Sequence, residues 1–243
     1  MKKILLVLLP LIIVVSGCGI SVESESTTVP KLMEMTVTYA DESTQKREYV
    51  YEPTASWPAK ACDVYENGVL LGREEYSYDE KYNTTKITQN WEGGNTQVFE
   101  YTYGENGLMS SKTLFQNDVE EYTIIYTYDT TNHIVEMKEF HDDVLFQYTQ
   151  IKYDENGHRQ TQTLFSGTDE VISYFNYVFD EKKLKETAKE YTSDGTLVGY
   201  LVNQYNYMNV ITQEEAFNPD DSLISHTYWK YIPQEMGVTV IGY

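Results

Sequence analysis

The sequence predicts an all-β protein: an elongated, twisted antiparallel meander of about sixteen strands, assembled from roughly 25-residue aromatic β-hairpin repeats. Three observations carry that expectation. Tyr78, Tyr103, Tyr128 and Tyr153 recur at intervals of 25, 25 and 25 residues, and a fixed period in this range marks a repeat architecture. Within a repeat the residues alternate, with Phe99, Tyr101 and Tyr103 on one face and Glu100 and Thr102 on the other, which is the period of a strand. Turn residues that tolerate positive φ separate the alternating runs, as at Glu66-Asn67-Gly68, Glu92-Gly93-Gly94-Asn95, Asp154-Glu155-Asn156-Gly157 and Ser193-Asp194-Gly195.

Taken in order, Met33, Met35, Val37 and Tyr39 alternate ahead of Ala40-Asp41-Glu42-Ser43 and open the meander as a hairpin. Tyr51 stands 27 residues before the first anchor, Tyr78. The irregular piece from Pro53 to Cys62 reads as a loop or a cap over the first edge of the sheet. Val98 to Tyr103, Leu108 to Gln116 and Val119 to Tyr128 are successive strands, parted by Gly104-Glu105-Asn106-Gly107 and by Asn117-Asp118. Glu181 to Glu190 has helix-favouring residues but occupies a strand position in the repeat, and position decides for strand. Beyond Tyr153 the anchors are expected at Phe179, Tyr207 and Tyr231, at steps of 26, 28 and 24. A sheet of this many strands must twist, and it must blunt or hide its edges.

Met1-Lys2-Lys3 and the apolar run Ile4 to Val15 have the charged start and short apolar core of a secretory signal. The run is shorter than the roughly 20 residues that a membrane-spanning helix needs. Val15-Ser16-Gly17-Cys18 closes it, and this stretch closely resembles the lipobox of bacterial lipoproteins: an aliphatic residue, two small residues and a Cys. The resemblance implies cleavage before Cys18 and a diacylglyceryl group on its thiol. It divides the chain into a signal peptide (1–17), a lipidated Cys with a polar tether (18–30) and a single β-repeat domain (31–243). Two acyl chains, at about 0.8 kcal/mol per buried CH₂, anchor a protein stably where one is marginal. The implied place is the bacterial cell envelope, lipid-anchored and facing outside the cytoplasmic membrane. With Cys18 lipidated, Cys62 has no intrachain disulfide partner and is expected to be buried. Its neighbours Lys60 and Asp63 do not make the electropositive setting of a reactive thiol.

The unit Tyr-x-Tyr-Asp-x-x-Gly resembles the YD repeat of bacterial RHS-type proteins. The copies that carry the likeness are Tyr126-Thr127-Tyr128-Asp129 and Ile151-Lys152-Tyr153-Asp154-Glu155-Asn156-Gly157, whereas Tyr101-Thr102-Tyr103-Gly104 has lost its Asp. The resemblance implies a spiralling antiparallel sheet. It does not bring the toxin-enclosing role of the large family members, because the repeats are few and their Pro- and Gly-rich core motif has no copy here.

The 243 residues include 23 Tyr, 8 Phe and 3 Trp, so the core material is aromatic with a polar tip. Lys plus Arg number 18 against 38 Asp plus Glu, and the net charge of −20 opposes binding to nucleic acid or to anionic lipid faces. That charge keeps an edge-rich sheet soluble, and it leaves a cationic partner or loosely held divalent ions as an alternative role. His133 and His158 occupy equivalent positions of successive repeats, and neither they, His141 nor His226 show metal-ligand spacing. There is no Gly-x-Ser-x-Gly elbow and no phosphate-cradling loop. Asp142-Asp143 and Asp220-Asp221 are turn carboxylates, too few to converge the six or more oxygens of a calcium site. Asn83-Thr84-Thr85 fits a glycosylation triplet and reads as a turn. The expectation is therefore a non-enzymatic surface lipoprotein without cofactor or metal. It would be a binding or spacer module for a protein or glycan partner, with Trp91, Trp229 and exposed Tyr as candidate stacking surfaces. The alternative is a carboxylate-based hydrolase acting on surface glycans. The strand rhythm also suits an outer-membrane barrel, but Thr161-Gln162-Thr163 and Lys185-Glu186-Thr187 are polar on both faces, where a lipid-facing band must be apolar.

Overall fold

A computed structural model describes residues 30–51, 58–180, 185–206 and 210–233. Its sixteen strands are β1 (Pro30–Tyr39), β2 (Thr44–Val50), β3 (Ala61–Glu66), β4 (Val69–Tyr78), β5 (Thr84–Trp91), β6 (Thr96–Tyr103), β7 (Met109–Gln116) and β8 (Val119–Tyr128), then β9 (Ile134–His141), β10 (Val144–Tyr153), β11 (Arg159–Ser166), β12 (Val171–Phe179), β13 (Lys185–Thr192), β14 (Leu197–Tyr205), β15 (Ile211–Phe217) and β16 (Leu223–Pro233). Each is antiparallel to the next, and β1 pairs with β16 from Pro30↔Pro233 to Tyr39↔Ser225, so the meander closes into a barrel. Closure abolishes the edges that an open sheet would have to protect. The stretch read as an edge cap accordingly has no edge to cover: Ala61 and Cys62 begin β3, and residues 52–57 lie outside the described residues.

The strands meet two different rims. At one, each odd-numbered strand turns tightly into the next even-numbered one, and this is the hairpin rim. Its two-residue loops Asn67-Gly68, Asn117-Asp118 and Asp142-Asp143 hold φ between 48° and 80°, the left-handed region that Gly, Asn and Asp enter most readily. At the other, even strands turn into odd ones through the Tyr-Asp connections, and both described chain ends, Pro30 and Pro233, lie there.

Bulges recur with the repeat. An extra residue follows the first residue of β5, β7, β9, β11 and β15 (Thr85, Ser110, Val135, Gln160 and Thr212), and another lies near the start of β4, β8, β10, β12, β14 and β16. Each bulge bends its strand and adds right-handed twist, which is what closing a sheet requires. The repeat itself proves more regular than its aromatic signature. Tyr205 takes the anchor position at the end of β14, while the expected anchor Tyr207 lies outside the described residues; Phe179, Tyr205 and Tyr231 follow at a constant 26. The added residue sits in the hairpin loops: paired Phe115 and Glu120 enclose four residues, paired Phe165 and Val171 five.

The more buried face of each strand points into the barrel. It carries Tyr49, Tyr76, Tyr101, Tyr126 and Tyr177, with Cys62, Val64, Leu114, Ile151, Ala188 and Ala216 buried among them. Ala61 and Val202 are buried on the opposite face. Trp91 also points inward, over Gly72, where an added Cβ would stand 2.6 Å from the indole; glycine is required there by the close approach of the ring. From β1 to β9 the outer face carries ion pairs, with Lys46 between Glu34 and Glu48, Arg73 on Asp63, Lys86 on Glu100 and Lys138 on Glu136. Threonine and serine hydroxyls bridge strands there, as between Thr113 and Thr123 at 2.8 Å. Closure predicts that the amides of β1 and β16 exchange with solvent as slowly as those of β8 and β9 in hydrogen-exchange mass spectrometry. Fast exchange confined to β1 and β16 would mean an open sheet.

Candidate functional site

At the Tyr-Asp rim the two signature residues have separate tasks. The Tyr78, Tyr103, Tyr128 and Tyr153 hydroxyls donate to the carbonyls of Ala59, Thr84, Met109 and Ile134 at 2.7, 2.7, 2.8 and 2.9 Å, each acceptor 19 residues back along the chain. In the last three the acceptor immediately precedes the bulged residue of the neighbouring strand, where a bulge disrupts the ladder. The aspartate shapes the turn that follows. Asp129 Oδ1 accepts the backbone N–H groups of Thr131 and His133 at 2.8 and 2.9 Å, and Asp154 Oδ1 those of Asn156 and His158, both at 2.8 Å. Asp79 does the same for Lys81 and Asn83. The Thr131 hydroxyl, followed by these backbone donors, holds the Asp129 carboxyl down at about 2; Asp79 and Asp154 are lowered by the same kind of bonding.

Shallow grooves lie along this rim among the described residues. One, of about 510 Å³, is lined by Asp129, His133, Tyr153 and Asp154, with the His133 ring stacked on Tyr153 at 4.6 Å. The next, of about 410 Å³, is lined by His158, Arg159, Tyr177 and Phe179, with His158 tilted against Phe179 at 5.0 Å. His133 and His158 thus repeat as the sequence suggested, each beside the aspartate of its own turn, at 3.5 and 3.3 Å. The carboxylates are committed to their turns.

The barrel interior carries ion pairs that the sequence reading missed. Glu74 accepts from Arg47 Nη1 at 2.8 Å, Gln89 Nε2 at 2.9 Å and the Tyr76 hydroxyl at 2.7 Å. Glu186 accepts from Arg159 at 3.2 Å and from Asn203 Nδ2 at 3.1 Å, and the guanidinium lies 4.5 Å from the Tyr177 ring centre. Glu139 accepts from Gln147 at 2.8 Å and lies 2.6 Å from His141 Nε2. Each pair reaches across or along the inner wall, which only the strand register reveals. Burial raises the Tyr49, Tyr76, Tyr101 and Tyr126 hydroxyls and pushes the Cys62 thiol up to about 12, so that thiol stays protonated and inert. Burial lowers Lys112, whose ammonium sits 4.4 Å over Phe99, and raises Glu190 and, with help from Glu186, Glu214. Glu186 and Glu214 share the inner face on either side of Asn203, yet Glu186 is only 2% exposed and closed to a substrate from solution. Among the described residues no group of three His, Cys, Asp or Glu is placed to hold a metal.

The outer wall near the hairpin rim is the remaining surface of note. Three cross-strand aromatic pairs face outward there: Tyr148 on Phe165 at 4.8 Å, Tyr174 on Tyr191 at 5.1 Å and Tyr200 on Phe217 at 4.8 Å. Trp91 and Trp229, expected as stacking surfaces, instead face the interior. Cys18 and its tether lie outside the described residues.

No family model matches the chain. No curated protein matches it either. Among solved structures, it is similar to a porin-like protein from Bacteroides uniformis, at 12% identity over 86% of this chain and 100% of that one, with a TM-score of 0.47. It is also similar to a protein of unknown function from Bacteroides fragilis, at 8% identity over 66% of this chain and 90% of that one, with a TM-score of 0.19. Such distant likenesses carry no functional inference, and the fold stands on the chain's own strand ladders.

The lowered turn carboxylates make a signed prediction. A carboxylate whose folded value lies below its unfolded one contributes stability above the unfolded value, lost as pH falls through the folded one. Asp129→Ala should therefore melt below wild type at neutral pH. The gap should shrink as pH falls from about 4 towards 2, read as the thermal midpoint by circular dichroism. A gap that stays constant across that range would remove the carboxylate from the account.

Proposed function

We propose that the protein is a lipid-anchored lipoprotein of the bacterial envelope, whose rigid barrel is a non-enzymatic binding or spacer module for a protein or glycan partner. The observation that supports this most is directional. The described chain enters at Pro30 on the Tyr-Asp rim, so a tether from Cys18 meets the barrel there and leaves the hairpin rim pointing away from the lipid. A flexible tether of this length spans roughly 15–20 Å, which stands the barrel just off the membrane. The outer wall from β1 to β9 suits an aqueous setting, since Lys46, Arg73, Lys86 and Lys138 and their carboxylate partners stud it where lipid would demand apolar side chains. A glycan hydrolase would need a carboxylate pair open to a saccharide. The interior carboxylates with the most bonds, Glu74 and Glu186, are nearly closed to solvent.

Mass spectrometry of the protein extracted from its native membrane should show an N-terminal peptide that begins at Cys18 and carries the mass of a diacylglyceryl group. Cys18→Ser should move the protein to the soluble fraction. An unmodified peptide starting upstream of Cys18 would contradict the anchor.

A further inference from the structure

The bulges on the even-numbered strands place an ordered apolar row on the hairpin rim. The extra residues there are Phe146 on β10, Ile172 on β12, Val198 on β14 and Ile224 on β16, at a constant spacing of 26 residues. At the same place β8 carries Glu121, which ends the continuous row, and the one further apolar residue at such a bulge, Leu71 on β4, stands apart from it. A bulge re-aims a side chain, and here it leaves Phe146 57% and Ile172 45% exposed, beside Val144 at 68%. The Phe146 ring packs at 4.6 Å on His141 at the inner lip of the rim, and Tyr148, Tyr174 and Tyr200 of the three outward aromatic pairs stand two residues further along β10, β12 and β14. Two of them are tied to the rim itself: the Tyr148 hydroxyl donates to Asp169 at 2.8 Å and that of Tyr200 to Asp221 at 2.9 Å.

The charge around this surface has one sign. Each of the eight hairpin connections, taken with one residue on either side, carries one or two carboxylates, and none carries Lys or Arg. The opposite rim differs, with Lys60, Lys81 and Arg159 at or beside its connections. A surface that alternates exposed apolar side chains with carboxylates fits a partner that offers apolar side chains flanked by cations, and it repels anionic lipid and nucleic acid. Spacing narrows the partner further. Alternate strands lie about 9.6 Å apart, so the row repeats at roughly 10 Å. An α-helix rises about 10.5 Å in seven residues, so a helix laid along the rim meets one row residue per heptad.

We propose that the hairpin rim from β10 to β16 docks a cationic amphipathic helix of a partner protein, with its apolar face on Phe146, Ile172, Val198 and Ile224 and its Lys or Arg side chains on the turn carboxylates. The inference deepens the binding-module reading and rests on it, by naming the partner's chemistry and the rim that takes it.

The test uses the full-length protein in detergent and a fluorescein-labelled synthetic helix with Leu at every seventh position and Lys on its flanks, followed by fluorescence anisotropy. Binding should weaken roughly tenfold or more with Phe146→Ser/Ile172→Ser and with Asp142→Asn/Asp143→Asn, should fall with added salt, and should be unchanged by Glu80→Gln/Glu105→Gln on the opposite rim. Both row residues are exposed, and circular dichroism melts confirm that the variants fold. A Lys-Ser peptide of equal charge, or the same helix broken by a central Pro, should bind at least about tenfold more weakly. Equal affinity for the Lys-Ser peptide, or indifference to the Phe146 and Ile172 changes, would overturn the proposal. So would capture of zwitterionic vesicles or of a neutral glucan by the same residues, or a self-association that Phe146→Ser abolishes. Failure here with an intact diacylglyceryl group on Cys18 would leave the anchored-module reading standing, whereas loss of the lipid with helix binding retained would do the reverse.

Discussion

The fold depends on one recurring hydrogen bond, from the hydroxyl of an inward tyrosine to a carbonyl 19 residues behind it. A bulged strand costs the ladder a partner for a backbone group, and an unpaired buried carbonyl is expensive. The tyrosine supplies the missing donor from the adjacent strand while its ring fills the inner wall. At β11, bulged at Gln160, the anchor is Phe179, whose ring fills the same space without supplying a donor, so the bond recurs at the bulges of β5, β7 and β9. Where β13 runs without a bulge, the anchor on β14, Tyr205, makes no such bond to a strand-start carbonyl among the hydrogen bonds described. The aspartate that follows the tyrosine completes the device by gathering the backbone N–H groups of the turn, so the next strand starts in fixed register.

Regular bulges then close the sheet. Each adds local twist in the same sense, and repetition around sixteen strands brings β1 to β16 without a special joint. A closed barrel needs few fully buried residues to be stable in register, because no strand is left with one unpaired side. That leaves its inner wall free to carry buried Arg47–Glu74 and Arg159–Glu186 pairs, where removal of either partner would strand the other charge. It also leaves the outer wall free to vary, charged and threonine-rich in the first half, aromatic towards the hairpin rim in the second.

What the sequence disclosed follows the same division. Tyr128 and Asp129 act through local chemistry that demands those residue types, so their period is legible and the strands between them fall into place. Tyr205 is hidden in the sequence because its strand reads Asn203-Gln204-Tyr205-Asn206, with Asn in place of both the first aromatic and the aspartate. Asn206 still accepts the N–H of Val210 at 3.1 Å, four residues on, as Asp79, Asp129 and Asp154 do in their own turns. Closure left no mark, since the β1–β16 contact joins the two ends of the domain and no local pattern encodes it. The apolar row was hidden for another reason: Val144-Leu145-Phe146 is a plain apolar run until the bulge shows which of the three leaves the alternation.

The Tyr128 hydroxyl is the donor that holds the middle of the array, and one urea-unfolding series separates hydroxyl from ring. Tyr128→Phe, which removes the donor to Met109 and keeps the ring, should cost about 1 kcal/mol. Tyr128→Ala should cost about 3–5 kcal/mol, and Tyr148→Phe on the outer wall less than about 0.5 kcal/mol. If Tyr128→Phe unfolds at the wild-type urea concentration while Tyr128→Ala does not, ring packing alone holds the repeat, and the hydroxyl-to-carbonyl bond is not its organising interaction.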